Sequence, residues 1–257
     1  MSAQAPKPIY RQIKPGRTLE VFSSAGDLFH AATCEVVEVL SSCLDQKPWC
    51  AIALSGGSTP KRLYQLLSQG EGGNIDWNRV RVFFSDERNV PPTDDESNYR
   101  MAKESLLASD LVPEKNIYRI QGELSADVAA QQYEQEIKNV LGKDARFDLV
   151  LLGLGPDGHT ASLFPESPAL HEKERLVVAN RVAKMNTDRI TFTYPLLNRA
   201  ASVLFLASGS DKAKIVRTVL SGEGDLPSQR VQPANGDLIW MLDKDSAKLY
   251  MEGMQRS

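Results

Sequence analysis

The sequence predicts an α/β layered fold with a mainly parallel sheet flanked by helices. Three observations carry that prediction. Short apolar, β-branched runs alternate with longer amphipathic segments along the whole chain. Several of the short runs are apolar without alternation, as strands covered on both faces of a parallel sheet must be. The linkers are short, and no repeat of fixed period or low-complexity tract interrupts the alternation.

Taken in order, residues 1–17 contain Pro6, Pro8 and Pro15 with scattered Lys and Arg, lack the apolar stretch of a signal peptide, and read as a loose lead-in. Residues 18–257 read as a single domain. Its first amphipathic stretch, 25–44, is a helix, and the apolar run 51–54 a strand followed by a helix over 59–67. The run 80–84 is a strand, and 98–108 and 126–141 are helices of mixed polar and apolar spacing. Strands follow at 147–152, 176–179, 190–193 and 203–207, then a helix over 211–220, a strand over 238–242 and a helix over 245–251. Segments 70–74 and 221–229 are turn-rich without marking a domain boundary.

Composition excludes several function classes. Of 257 residues, 25% are charged and 42% hydrophobic, which is ordinary for a globular chain and wrong for a disordered one. A net charge of −3 argues against nucleic acid, which needs a basic face, but leaves room for a small anion held by a few cations. No apolar run approaches the roughly 20 residues that cross a bilayer. Cys34, Cys43 and Cys50 have no metal-ligand spacing and cannot all pair, so reduced structural thiols in the cytoplasm are expected.

The segments immediately after the apolar strands are more informative. Strand 51–54 runs into SGGSTP (55–60), strand 80–84 into SDERNVP (85–91), strand 147–152 into GLGPDGHT (153–160), and strand 203–207 into SGSDK (208–212). If these strands are parallel neighbours, all four loops emerge at the carboxyl edge of one sheet, where open α/β sheets place ligands. In the first loop Gly56 and Gly57 admit oxygen atoms close to the backbone, Ser58 and Thr59 add hydroxyls, and the following helix points its N-terminal amides at an anion. It lacks the Gly-Lys-Ser/Thr ending of a Walker loop, and Gly153-Leu154-Gly155 is not a dinucleotide fingerprint.

Of three histidines, His159 alone lies in a glycine-rich loop after a buried strand. An imidazole titrates near 6.5 in its free form, so it accepts a proton near neutrality, and Asp157 is placed to fix its tautomer. His30 and His171 read as structural or solvated. Asp86 and Glu87 supply carboxylates and Arg88 a cation that binds a carboxylate or phosphate in bidentate fashion, or an oxyanion. Lys212, near a helix start where a cation is unfavourable, reads as an anion ligand, and Arg189 is a further candidate. There is no Gly-x-Ser-x-Gly elbow and no zinc spacing, so a site that uses water directly, without metal, is expected.

Together these segments resemble the 6-phosphogluconolactonase family. The resemblance rests on LSGGSTP (54–60), SDERNVP (85–91) with Ser97-Asn98, and GLGPDGHTASLFP (153–165), and on RITFT (189–193), LLN (196–198), RVQP (230–233) and WMLD (240–243). It implies a Rossmann-like sheet similar to that of glucosamine-6-phosphate deaminases and ribose-5-phosphate isomerase. It also implies cofactor-free hydrolysis of 6-phospho-D-glucono-1,5-lactone, a phosphorylated sugar lactone; a monomer is expected separately. His159 would be the base that activates water, Asp157 would orient it, and Arg88 would sit near the substrate's oxygen atoms. Gly56, Gly57, Ser58, Lys212 and Arg189 would cradle phosphate, with Thr59, Asp86, Glu87, Asn98 and Gly155 as further binding residues. The nearest rival is an amino-sugar-phosphate deaminase or isomerase, whose loop ends in Asn-Glu-Pro. Here Thr160-Ala161-Ser162-Leu163-Phe164-Pro165 follows the histidine, and Glu166 comes after the proline. A non-catalytic sugar-phosphate sensor is the other alternative, against which the intact His159 and the lack of a DNA-binding segment both count.

Overall fold

The computed structural model describes residues 5–108 and 111–255. Its main sheet has seven strands: β1 (Tyr10–Lys14), β2 (Arg17–Phe22), β3 (Cys50–Leu54), β4 (Val80–Phe84), β6 (Leu149–Gly153), β9 (Ser202–Ala207) and β10 (Asp237–Asp243). They lie in the order β1-β2-β10-β9-β6-β3-β4, and every neighbouring pair is parallel except β1 with β2. A second sheet, β5 (Asp86–Arg88), β8 (Thr187–Phe192) and β7 (Val177–Val182), is antiparallel. The expected mainly parallel α/β architecture is therefore the observed one.

Burial explains the strand pattern. Every residue of β3 and β9 is buried, as are the first four of β6, so these strands are sealed on both faces and need no polar alternation. The covering helices are α1 (Ala25–Gln46), α2 (Ser58–Ser68), α4 (Ala126–Leu141), α6 (Ala213–Ser221) and α7 (Lys244–Met254), with the short α3 (Asn98–Ala102) and α5 (Tyr194–Leu197) between. Helix α3 continues as a π-helical turn, Lys103–Leu107, which together fill the expected 98–108 helix. The aromatic side chains join the two sheets: Phe147 packs on Phe83 and on Phe192, with both centroid distances 5.2 Å.

Two expectations change. The lead-in is ordered from Tyr10, where β1 pairs with β2; Arg11 meets Glu20 across the ladder at 2.8 Å. The loop expected over 85–91 begins as strand β5. Ser85 is the corner: its N–H donates to Leu54 of the main sheet, and its carbonyl accepts from Phe192 of β8. The strands expected at 176–179 and 190–193 are present as parts of β7 and β8, which pair in the small sheet. Strand β3 continues through α2 to β4 on one side, while β6 leads on to β9 and β10 on the other. Chain direction across the sheet thus reverses between β3 and β6, which is where an open α/β sheet leaves a crevice at its carboxyl edge.

Candidate active site

A cavity of about 240 Å³ opens at that crevice. Its walls are the four segments that follow β3, β4, β6 and β9: residues 55–60, Asp86 and Arg88, residues 153–156 with 159–161, and Lys212, joined by Asn98 and Leu206. The convergence expected from the strand ends is thus realised, because β9, β6, β3 and β4 are consecutive neighbours in the sheet.

The floor on the β3 side is built from a helix start. Gly57 is the residue before α2 and has φ of 107°, a conformation strained for a residue with a β-carbon. It provides no side-chain cap to α2, and the first helical residues, Ser58 and Thr59, line the cavity. The turn is fixed from behind by Tyr64, whose hydroxyl donates to the Ser55 carbonyl and accepts from the Ser55 N–H, both at 2.9 Å. Ser55, left out of the expected site residues, lines the cavity with a buried hydroxyl that has no hydrogen-bond partner.

The opposite wall carries His159. Its ring lies against Gly155, and Nδ1 is 2.5 Å from Asp157 Oδ1. With Nδ1–H donated to the carboxylate, Nε2 keeps its lone pair. The loop is closed by Gly155 N–H to the His159 carbonyl (2.8 Å), and Thr160 Oγ1 ties it to the Gly153 carbonyl (3.0 Å). Phe164 packs against the imidazole, with the ring centroids 4.1 Å apart and the planes tilted by 30°. Asp157 also pairs with Lys184, from the β7–β8 turn. Burial raises the Asp157 carboxyl, but the hydrogen bonds from His159 and Lys184 outweigh it and hold the group well below the usual carboxylate range. His30 lies in α1 beside Glu71, and His171 ends a separate 3-10 turn; neither lines the cavity.

The small sheet supports the segment after His159. Asn180 of β7, fully buried, donates to the Ser162 carbonyl at 2.7 Å, and Thr191 of β8 accepts from the Ser162 N–H at 3.1 Å. Ser162 Oγ donates to Asp86 at 2.6 Å, and Asn98 Nδ2 donates to the Asp86 carbonyl at 3.0 Å. Asp86 thus joins three segments while still lining the cavity, and Asn98 closes over Gly56.

Two expected binding residues fall elsewhere. Glu87 does not line the cavity. Its carboxylate accepts from the backbone N–H of Arg88, Asn98 and Tyr99 and from Ser97 Oγ, so it seats the N-terminus of α3. Burial nevertheless pushes its carboxyl up, against those hydrogen bonds. Arg189 pairs with Arg88 across the β5–β8 ladder and is 5% exposed, behind Arg88 and off the cavity wall. Burial lowers its affinity for a proton, and the Arg88 charge adds to that. Arg88 itself lines the cavity and donates to the Glu96 carbonyl at 2.5 Å. Among the described residues, no group of three or more His, Cys, Asp or Glu is arranged to hold a metal ion.

Comparison with known proteins matches this arrangement to one family. Residues 23–240 match the family described as glucosamine-6-phosphate isomerases/6-phosphogluconolactonase. A chloroplastic 6-phosphogluconolactonase 3 of Arabidopsis thaliana is 38% identical over 207 residues; the match covers 76% of this chain and 64% of that protein, just under two thirds of its length. A 6-phosphogluconolactonase of Synechocystis is 41% identical, with 77% of this chain and 83% of the relative covered. Among solved structures, the 6-phosphogluconolactonase of Thermotoga maritima superposes with a TM-score of 0.79 at 29% identity, covering 89% of this chain and all of that one.

Proposed function

The chain belongs to the glucosamine-6-phosphate isomerase/6-phosphogluconolactonase family, and from that premise we propose that it hydrolyses 6-phospho-D-glucono-1,5-lactone to 6-phospho-D-gluconate in the oxidative pentose phosphate pathway. The observation that carries the mechanism is the 2.5 Å contact of His159 with Asp157 on one wall of a cavity whose other wall is the open start of α2. His159 Nε2 takes a proton from water as the oxygen attacks the lactone carbonyl. Asp157 holds the tautomer and supports the imidazolium that forms. As the ester opens, the imidazolium returns its proton to the ring oxygen. Arg88 offers its guanidinium to the substrate's oxygen atoms. Gly56, Gly57, Ser58 and Thr59, at the start of α2, hold the phosphate with Lys212 opposite.

The segment after His159 favours hydrolysis over deamination. Thr160 and Ala161 line the cavity, whereas Glu166, with φ of 64°, does not, so this segment brings no carboxylate to the cavity in place of the glutamate that the deaminase loop supplies. The chain is taken to act without a cofactor, as a monomer in the cytoplasm, on a small molecule and not on nucleic acid. The net charge of −3 supports the last point, and no helix among the described residues is long and apolar enough to cross a membrane. The test is a lactonase assay above the spontaneous rate. Wild type accelerates hydrolysis, and His159→Ala loses nearly all of the gain, a fall on the order of 10²–10⁴. An unchanged rate in that variant removes His159 from the base role, and release of ammonia from glucosamine 6-phosphate reverses the choice of reaction.

A further inference from the structure

We propose that Lys184 is a positioning residue for the reaction: it fixes Asp157 from the side opposite His159 and so sets the protonation of the imidazole. This role rests on His159 acting as the base. Three contacts carry it. Lys184 Nζ pairs with Asp157 Oδ2, while Asp157 Oδ1 meets His159 Nδ1 at 2.5 Å. The same ammonium lies 5.2 Å from the centroid of the Phe164 ring, which packs against His159. One cation therefore touches both groups that frame the imidazole.

Lys184 does not line the cavity, so it acts through Asp157 and not on the substrate. It is delivered by the turn between β7 and β8, where the chain forms a short 3-10 helix, Ala183–Met185, closed by Asn186 in the left-handed region. The neighbouring cation of the hairpin, Arg181, is engaged by Asp188 at 3.2 Å and by Asn186, and leaves Asp157 to Lys184.

The ammonium has two effects. Asp157 has 27% of its side chain exposed, and a carboxylate that free turns between rotamers; a second partner on Oδ2 holds Oδ1 on the imidazole. The ammonium also offsets the carboxylate's negative potential at His159, and so opposes protonation of the ring before water is activated. The other charged groups that face His159 are Asp86 and Arg88 from β5 and Lys212 from the turn after β9, all on the cavity wall. A change at Lys184 leaves them in place.

The experiment compares wild type, Lys184→Met and Lys184→Arg in the pH profile of kcat/KM for lactone hydrolysis, and in the NMR titration of the His159 ring protons. In Lys184→Met both midpoints move up by about half a pH unit, the size expected for loss of one partly exposed charge. At low pH kcat falls several-fold while KM changes less than twofold, and Lys184→Arg restores the wild-type midpoints. A loss of packing alone would lower stability without moving either midpoint. Unchanged midpoints in Lys184→Met overturn the role of Lys184 and leave the base reading standing. If wild type lacks lactonase activity, the base reading fails, and the NMR midpoint still decides whether Lys184 biases the imidazole.

Discussion

A β-carbon at Gly155 would lie 2.1 Å from Cε1 and Nδ1 of His159, so the imidazole occupies the space where any other side chain would begin. Gly155→Ala must therefore displace the ring. The expected outcome is a fall in kcat of about 10², typical of a reacting group moved by about an ångström, with the melting temperature close to wild type. Retention of full kcat would show that the ring has another productive position. His159 was legible in the sequence because a lone histidine in a glycine-rich loop after a buried strand has few other uses. Lys184 was not. It lies 27 residues from Asp157 along the chain, and nothing in a hairpin turn says which carboxylate its lysine will reach. Nor, for a related reason, was the placing of Glu87 and Arg189 off the cavity wall. A charged residue at a strand end carries no mark of whether it turns to the cavity or to the backbone behind it. Pairing of β5 with β8 places Arg189 beside Arg88, and the donors around the start of α3 hold Glu87.

The elements that shape the cavity are short and depend on one another. Strand β5 has three residues, all charged, and no apolar alternation could have shown it as a strand. It exists because β8 pairs with it and because Glu87 is satisfied by four donors around the start of α3. Each oxygen of Glu87 accepts from two of them: Oε1 from Arg88 and Asn98, Oε2 from Ser97 and Tyr99. Glu87→Gln turns an amide NH₂ toward one of those pairs and leaves buried donors unpaired. Urea denaturation should show a loss of about 1–3 kcal/mol. A lactonase defect should accompany it, because Asn98 and Arg88 lose a common anchor. An unchanged midpoint would mean that α3 does not depend on this carboxylate. The phosphate-type loop, by contrast, was readable as it stands: SGGS before a helix is a local arrangement, and α2 starts at Ser58 with Gly57 as its uncapped first turn.

Across the whole molecule, the apolar runs marked five of the seven strands of the main sheet and the main helices, since burial leaves a continuous signature. Strands β1 and β2 escaped because Arg17 and Glu20 break the run, and the charge of Glu20 is met by Arg11 of a strand that has no apolar pattern of its own. The pH dependence of stability belongs to this scale. Glu134 of α4 is 4% exposed and binds Lys138 at 2.5 Å, Arg175 ahead of β7, and the Leu176 N–H, joining a helix to the small sheet. Burial raises its carboxyl, but those partners outweigh it and the group ends below its ordinary value of 4.5. Its contribution is therefore complete above that value and is lost as pH falls through the folded value. Glu87 works in the opposite sense, because its raised carboxyl favours the folded state more at low pH. Glu134→Gln should flatten the acid limb of stability, at a cost of about 1–3 kcal/mol at neutral pH, read by urea midpoints from pH 7 to below 4.5; a limb as steep as wild type would assign the acid sensitivity to other carboxylates. The order of strands has one more consequence, for the growing chain. Strands β2 and β3 emerge early yet stand apart in the finished sheet, and the strands between them, β10, β9 and β6, are all made later. Strand β3 lacks a neighbour until residues 149–153 of β6 have been made, and β2 lacks one until residues 237–243 of β10 have been made. The nascent chain must therefore keep the β2 edge from other chains for most of its synthesis, because the strand that joins the two halves of the sheet is the last one made.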